Sequence, residues 1–249
     1  MTTPTLTPLF LHPTAKPANP YILLILNQPI TSPRLFHHLW QKASLTISAD
    51  GASNHLHNLS LRTGTDYTPD VIIGDLDSLS PSARTYFEER GVNIVRVPDQ
   101  DSTDFGKALE WGFANLPPGL EKVDWVAFNS LGGRMDASFH SLHQLFLFAD
   151  GAFPGTEEAK SRRGELWLVS PPNLAFLLPA GKSVVLLGGG EGTEEERRAR
   201  KEVVFGRGVC GVLPVAGERV VRTRGLRWDV DWMVGVGVTR GLGLSTSNE

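Results

Sequence analysis

The sequence predicts an α/β domain with a doubly wound, mostly parallel sheet, followed by an all-β sandwich. Three observations predict it. Through the first 150 residues, short apolar runs lead into Gly- or Asp-containing turns and then helix-like segments, as strands of a sheet covered on both faces do. Beyond residue 164, runs of Val, Leu and Trp alternate with Gly and Pro at short intervals, the signature of all-β structure. Between them, GAFPGTEEAKSRRG (151–164) shifts to Gly, Pro and charge, as interdomain linkers do. The expected layout is a flexible arm over 1–19, an α/β domain over 20–150, a linker over 151–164 and a β domain over 165–249 with an inserted loop at 188–202.

The elements follow in order. The first nineteen residues are rich in Thr and Pro and read as extended, Pro-stiffened pieces. YILLILN (21–27) is a first buried strand. Leu35, Leu39 and Trp40 share one face of a helix over 34–42. Leu45 to Ser48 gives a second strand, after which Asp50 and Gly51 turn the chain and Ser53 can cap a short helix. Val71, Ile72 and Ile73 form a third strand, ended by Gly74 and followed by Asp75 and Asp77. Pro81 suits the first position of a helix over 80–90, and Gly91 stops it. Asn93 to Val97 is a fourth strand, leading into Asp99, Asp101 and Asp104. Ser102 or Thr103 starts the next helix, with Phe105, Ala108, Leu109 and Phe113 on its apolar face. VDWVAFN (123–129) is a strand entering SLGGRMD, and the helix beyond it buries Phe139, Leu142, Leu145 and Phe146. His140 and His143 lie on the flank of that helix and read as ordinary flank residues rather than metal ligands.

The β half comprises ELWLVS, LAFLLP, SVVLLG, EVVFG, GVCGVLPV and RVVRTRGLRWDV. GGGEG within it lacks the spacing and the Gly-Lys-Ser/Thr ending of a phosphate-binding loop, and reads as loop.

Several function classes are disfavoured. A net charge of −3 offers no electrostatic reason to bind nucleic acid or an anionic membrane. Cys210 is the sole cysteine, so neither an intrachain disulfide nor a thiolate cage forms. The N-terminal segment lacks the basic start and apolar core of a signal peptide. A soluble cytoplasmic protein is the expectation.

The chemistry concentrates in Asp50, Asp75, Asp77, Asp101 and Asp104. Each follows a strand, and in open α/β sheets ligands bind beyond the carboxyl ends of the strands. Asp75 and Asp77, two apart in extended chain, point to the same side. Facing carboxylates repel, and a bound cation relieves the repulsion. An all-oxygen donor set suits Mg²⁺ shared with substrate phosphates. For a single Asp, capping or turn-filling is the ordinary role; five in this arrangement favour the metal reading. Lys107 is either the i,i+3 partner of Asp104 or a phosphate contact. Gly132-Gly133 lets backbone approach an anion, and Arg134 can bind phosphate oxygens bidentately; as a bare turn, Asp136 would only cap a helix.

ADGASN, PDVIIGDLDS, DQDSTDFGKAL, LGGRMD, GLRWDV and STSN occur in the order and at about the spacing of the thiamine pyrophosphokinase family. The resemblance runs from Tyr21 to Asn248. It implies pyrophosphoryl transfer from ATP to the hydroxyl of thiamine, giving thiamine diphosphate and AMP. It implies Asp75, Asp77 and Asp104 as catalytic and Mg²⁺-binding, with Asp50 and Asp101 assisting, and Asp77 or Asp104 as acceptor of the hydroxyl proton. Asp50, Gly51, Asn54, Gln100, Thr103, Lys107, Arg134 and Asp136 would bind the nucleotide. Trp228, Ser245 and Ser247 would hold thiamine, although a strand Trp is more often core than platform. A homodimer with shared sites follows by the same resemblance. Ala52 and His55 depart from the family's Gly and Arg, and Ala137 from its usual His or Gln. The family's pattern continues past STSN through another aromatic-rich strand, so an open sheet edge or thiamine pocket is expected here. Two further readings compete. Asp75-Leu76-Asp77 is also the DxD of metal-dependent glycosyltransferases, which explains none of the later motifs. A non-catalytic thiamine or nucleotide binder would not need all three of Asp75, Asp77 and Asp104.

Overall fold

The computed structural model describes residues 3–116, 118–119, 121–153, 157–171, 173–186, 210–215, 217 and 219–234. Two compact units divide the chain, residues 1–204 and 205–249. In chain order the strands are β1 (Thr5–Leu6), β2 (Tyr21–Ile25), β3 (Leu45–Ala49), β4 (Val71–Gly74), β5 (Asn93–Arg96), β6 (Val123–Phe128), β7 (Arg163–Ser170), β8 (Asn173–Ala175), β9 (Val184–Val185), β10 (Arg219–Arg222) and β11 (Asp231–Val234). The helices are α1 (Pro33–Trp40), α2 (Ala52–Thr63), α3 (Pro81–Glu88), α4 (Asp104–Ala114), α5 (Met135–Asp150) and α6 (Glu157–Ser161).

Seven strands form one sheet in the order β5-β4-β3-β2-β6-β7-β8. Every pairing is parallel except β7–β8. The chain winds outward from β2 to β5, and α4 then returns it to β6 on the far side of β2. The winding therefore reverses between β2 and β6, the place where such sheets hold ligands.

The two faces of the sheet explain the unbroken apolar runs. On one face Ile22, Leu24, Ile47, Ile73, Trp125 and Leu168 pack with Phe105, Leu109 and Phe113 of α4 and Leu145 and Phe148 of α5. On the other, the Phe36 ring of α1 lies 5.2 Å from both Phe128 and Tyr67. Pro81 and the Ser80 hydroxyl, which accepts from Ala83 N–H, start α3 as expected. Left-handed Gly64 and Gly151 end α2 and α5.

Three expectations about layout need correction. ELWLVS does not open a separate β domain: it is β7, parallel to β6 in the first sheet. A buried strand flanked by turns reads alike in either setting, and pairing alone decides. The 151–164 segment is likewise no bare linker, since it carries α6 and enters β7. The arm is not loose either. Leu6, Phe10 and Leu11 are buried, and β1 pairs in parallel with β9. Phe10 meets Trp167 edge-on at 5.5 Å and Tyr21 at 5.8 Å. Lys42 Nζ donates to the carbonyls of His12 (2.5 Å) and Ala15 (3.2 Å). In the second unit β10 and β11 form an antiparallel pair. Of the other expected strands, LAFLLP contributes only to β8, antiparallel to β7 in the first sheet, and SVVLLG only β9, paired with β1. Residues 211–215 of GVCGVLPV form no strand, and EVVFG and the 188–202 loop lie outside the described residues. No helix among the described residues is long and apolar enough to cross a membrane.

Phe10→Ala should cost about 3–5 kcal/mol in denaturant unfolding, as for a buried aromatic. A truly loose arm would make the change lie within about 0.5 kcal/mol of zero.

Candidate functional site

Asp50 follows β3 directly, and its N–H extends the ladder to Ile73 O at 2.9 Å. Its φ is +39°, and its side chain is 1% exposed. Oδ2 accepts from Ser78 N–H at 3.2 Å, while buried Oδ1 has no hydrogen-bond partner among the described residues. Burial raises the Asp50 pKa to about 6, with Asp104, Asp75 and Asp77 pushing the same way and the Ser78 bond opposing.

Asp75 and Asp77 follow β4 through Leu76, whose φ is +66°. One carboxylate oxygen from each of Asp50, Asp75 and Asp77 lies within 4.8 Å of the others. The Gln100 amide donates to Asp75 Oδ2 at 2.9 Å and Asp77 N–H to Oδ1 at 3.2 Å. These bonds hold the Asp75 carboxyl below the usual carboxylate range. Asp104 opens α4, with Lys107 Nζ 3.4 Å from its Oδ1. Burial raises its pKa against the pull of Lys107. Gly74 makes this crowding possible: a Cβ there would stand 2.6 Å from Asp50 Cβ and 3.1 Å from Asp104 Oδ1.

The donor set fits a hard divalent cation. All its donors are carboxylates, and the buried Asp50 carboxylate has one oxygen, Oδ1, without a hydrogen-bond partner among the described residues, an expensive arrangement unless a cation meets it. Asp101 is not brought into this group; it is exposed, and its N–H closes a turn on Asp99 Oδ1 at 3.0 Å.

The other sequence candidates divide. Lys107 is only 4% exposed and pairs with Asp104. Both ends of the Asn54 amide bond the acidic loop: Nδ2 donates to Ser78 O at 2.7 Å and Oδ1 accepts from Ser80 N–H at 2.9 Å. Asn54 therefore ties the acidic loop to α2. Gly51 packs where a Cβ would strike Asn27 and come within 3.0 Å of Ser78 Cβ. Arg134 makes a bidentate, exposed pair with Asp136, Nε to Oδ1 at 3.0 Å and Nη2 to Oδ2 at 2.5 Å. Such a pair contributes little stability in water, so the guanidinium can exchange it for a phosphate at small cost. Gly132 and Gly133, at φ +110° and +64°, carry the chain into it. Trp228 is 60% exposed. Ser245 and Ser247 lie outside the described residues.

A cavity of about 190 Å³ opens at the switch point, lined by the end of β3, by residues just past β2 and β6, by the first turn of α4 and by the first two turns of α5. Thr103 and Asp104 form part of its wall. Sequence reading missed Asn27, Gln28, Asn129, Ser130 and His140 there. Gln28 Nε2 donates to Gly132 O and Asn129 Nδ2 to Gln28 O, both at 2.8 Å. The available signal was position: polar residues just past two strands that flank the reversal.

The chain matches the family model for the thiamin pyrophosphokinase catalytic domain over residues 36–153. It is 30% identical to thiamine pyrophosphokinase of Saccharomyces cerevisiae, covering 91% of this chain and 78% of that protein. It is also 30% identical to thiamine pyrophosphokinase 3 of Oryza sativa subsp. japonica, covering 85% and 73%. The yeast thiamin pyrophosphokinase crystal structure superposes with a TM-score of 0.70 at 25% identity, covering 94% of this chain and 81% of that one. The Bacillus subtilis thiamine pyrophosphokinase shares the fold, at TM-score 0.57 and 16% identity over 92% and 89% of the two chains.

The raised Asp50 pKa fixes the sign of a pH effect. Between the unfolded value near 4 and about 6, the folded protein binds this proton more tightly than the unfolded chain. Without metal, Asp50 therefore makes stability fall as pH rises through that interval. Asp50→Asn should raise the melting temperature of the metal-free protein above pH 7 and make the fall between pH 4 and 7 shallower. An equal slope, or a variant less stable above pH 7, would mean that the charged form of Asp50 is structurally required.

Proposed function

The chain belongs to the thiamine pyrophosphokinase family, and we propose that its acidic crevice carries ATP-dependent transfer of a pyrophosphoryl group to the hydroxyl of thiamine. The products are thiamine diphosphate and AMP. The observation that carries the proposal is the convergence of Asp50, Asp75 and Asp77, with the buried Asp50 Oδ1 lacking a partner among the described residues. Family membership favours neither the nucleotide-sugar reading nor the non-catalytic binder.

In this reaction the thiamine hydroxyl oxygen bonds to the β-phosphorus of ATP. The bond from that phosphorus to the oxygen bridging it to the α-phosphorus breaks, and AMP leaves. Phosphoryl-type transfer asks a protein chiefly for charge neutralisation and in-line positioning. Asp50, Asp75 and Asp77 would hold Mg²⁺, with Asp104 beside them; Asp101 is assigned no ligand role. When bound, the ion supplies neutralisation of phosphate charge. Asp75, held ionised by Gln100, suits a permanent ligand. Asp104, with its raised pKa, suits acceptance of the hydroxyl proton at Oδ2, because Oδ1 faces Lys107. Arg134 would exchange Asp136 for phosphate oxygens, while Gly132 and Gly133 let backbone approach them. Thr103 borders the nucleotide cavity, and Gly51 and Asn54 shape the acidic loop. Trp228 offers an exposed indole to the thiamine cation, with Ser245 and Ser247 as further contacts. Two copies pairing in the cytoplasm, each site drawing on both, complete the proposal.

Incubation with ATP, Mg²⁺ and thiamine should yield AMP in step with thiamine diphosphate; ADP with thiamine monophosphate would overturn the reaction. Asp75→Asn and Asp77→Asn should each lower turnover by about a hundredfold or more, with folding unchanged by circular dichroism. Trp228→Ala should raise the thiamine KM by about tenfold, the scale of a lost cation–π contact, and leave the ATP KM unchanged. A defect in ATP use instead would remove Trp228 from the thiamine site.

A further inference from the structure

His140 projects from the second turn of α5 and lines the switch-point cavity. Its Nε2 lies 2.9 Å from Thr103 Oγ1 and 3.0 Å from Gln144 Nε2. Thr103 is the N-cap of α4, and its Oγ1 accepts from Gly106 N–H at 3.3 Å. With its oxygen accepting from the helix, the hydroxyl has its hydrogen left to donate, and His140 Nε2 is placed to receive it. The Gln144 amide nitrogen, also a donor, agrees with that assignment. The Thr103 hydroxyl could serve either tautomer; the Gln144 amide nitrogen beside Nε2 assigns the proton to Nδ1, leaving Gln144 Oε1 without a partner among the described residues. Burial lowers the His140 pKa, favouring the neutral ring.

The contact joins the two halves of the crevice. α5 begins directly after Gly132-Gly133-Arg134, whereas α4 begins at Asp104, the acid beside Asp50 and Asp75. Gly106, in the same turn of α4, has no side chain, and the Gln144 amide nitrogen lies 3.9 Å from where a Cβ would stand, so the turn leaves room for that amide. Gln144 is itself only 4% exposed. His140, with Gln144 bonded behind it, therefore holds the N-cap of α4, the turn that aims Asp104.

We propose that His140 is a positioning residue for pyrophosphoryl transfer, fixing Asp104 against the other acids through the Thr103 hydroxyl. The proposal rests on the reaction assigned above. Its reach is catalytic rather than structural, because a small misplacement of a reacting group costs turnover more than binding.

The test combines kinetics with a spectroscopic signature. His140→Ala should lower kcat by about tenfold to a hundredfold while the thiamine KM stays unchanged. His140→Gln, whose carbonyl can accept from Thr103, should recover most of the loss. Thr103→Val removes the same link, so adding His140→Ala to it should lower kcat no further. Nitrogen NMR of the wild-type imidazole should show Nδ1 protonated and Nε2 bare. A ring protonated at Nε2, losses that add in the double variant, or no recovery with Gln would each overturn the proposal. If His140→Ala fails to fold, the tautomer and the Gln variant decide. Wild-type protein that forms no AMP would contradict the reaction itself, whereas an Nε2–H ring on an active enzyme contradicts only the role of His140.

Discussion

Repulsion among four carboxylates at one edge of a parallel sheet is the constraint on which this molecule's crevice depends. Asp50, Asp75, Asp77 and Asp104 arrive from three separate strand ends. The protein tolerates them by several local devices. Lys107 faces Asp104, the Gln100 amide faces Asp75, and backbone N–H groups of Asp77 and Ser78 face Asp75 and Asp50. Asp50, with one oxygen lacking any such device among the described residues, answers with a raised pKa. Left-handed backbone adds to the cost. Among the described residues, the non-glycine residues with positive φ are Asp50, Leu76 and Asn129, and they follow β3, β4 and β6. Backbone strain of this kind persists only where its surroundings over-determine it.

Those surroundings are the sheet. Ile47, Val71, Ile72, Ile73 and Trp125 are essentially inaccessible to solvent, and their packing fixes where each strand stops. The loops then need only a few residues to reach the crevice. Gly74 lets Asp50 and Asp104 come together, and Asn54 ties the acidic loop to α2. Stability in the core is in this sense converted into charge density at the edge, the arrangement phosphate chemistry demands.

Most of that was legible in the sequence, for a physical reason. A strand covered on both faces must be apolar throughout, so β2, β3, β4 and β6 announce themselves, and an acid past such a strand has few other places to go. What escaped reading depends on pairing or on second contacts. ELWLVS would look the same in a parallel or an antiparallel sheet. Phe10 and Leu11 sit among prolines and threonines, and the Phe10 ring is covered by Tyr21 and by Trp167, far along the chain. Asn54 shares a motif with Asp50, yet both ends of its amide are consumed locally. His140 resembles an amphipathic flank residue until Thr103 is brought beside it. Asp101 fits the acidic spacing, but it is exposed, outside the close group of Asp50, Asp75 and Asp77, and its N–H closes a turn on Asp99.

Proton release on cation binding tests the account most directly. Calorimetric titration of the nucleotide-free protein with Mg²⁺, in two buffers of different ionisation enthalpy, counts the protons displaced. If buried Asp50 faces the ion, binding near pH 6 releases a substantial fraction of a proton, the release fades by pH 8, and Asp50→Asn abolishes it. Binding that releases no proton near pH 6 and is unchanged in Asp50→Asn would contradict the claim that the crevice is organised around a cation.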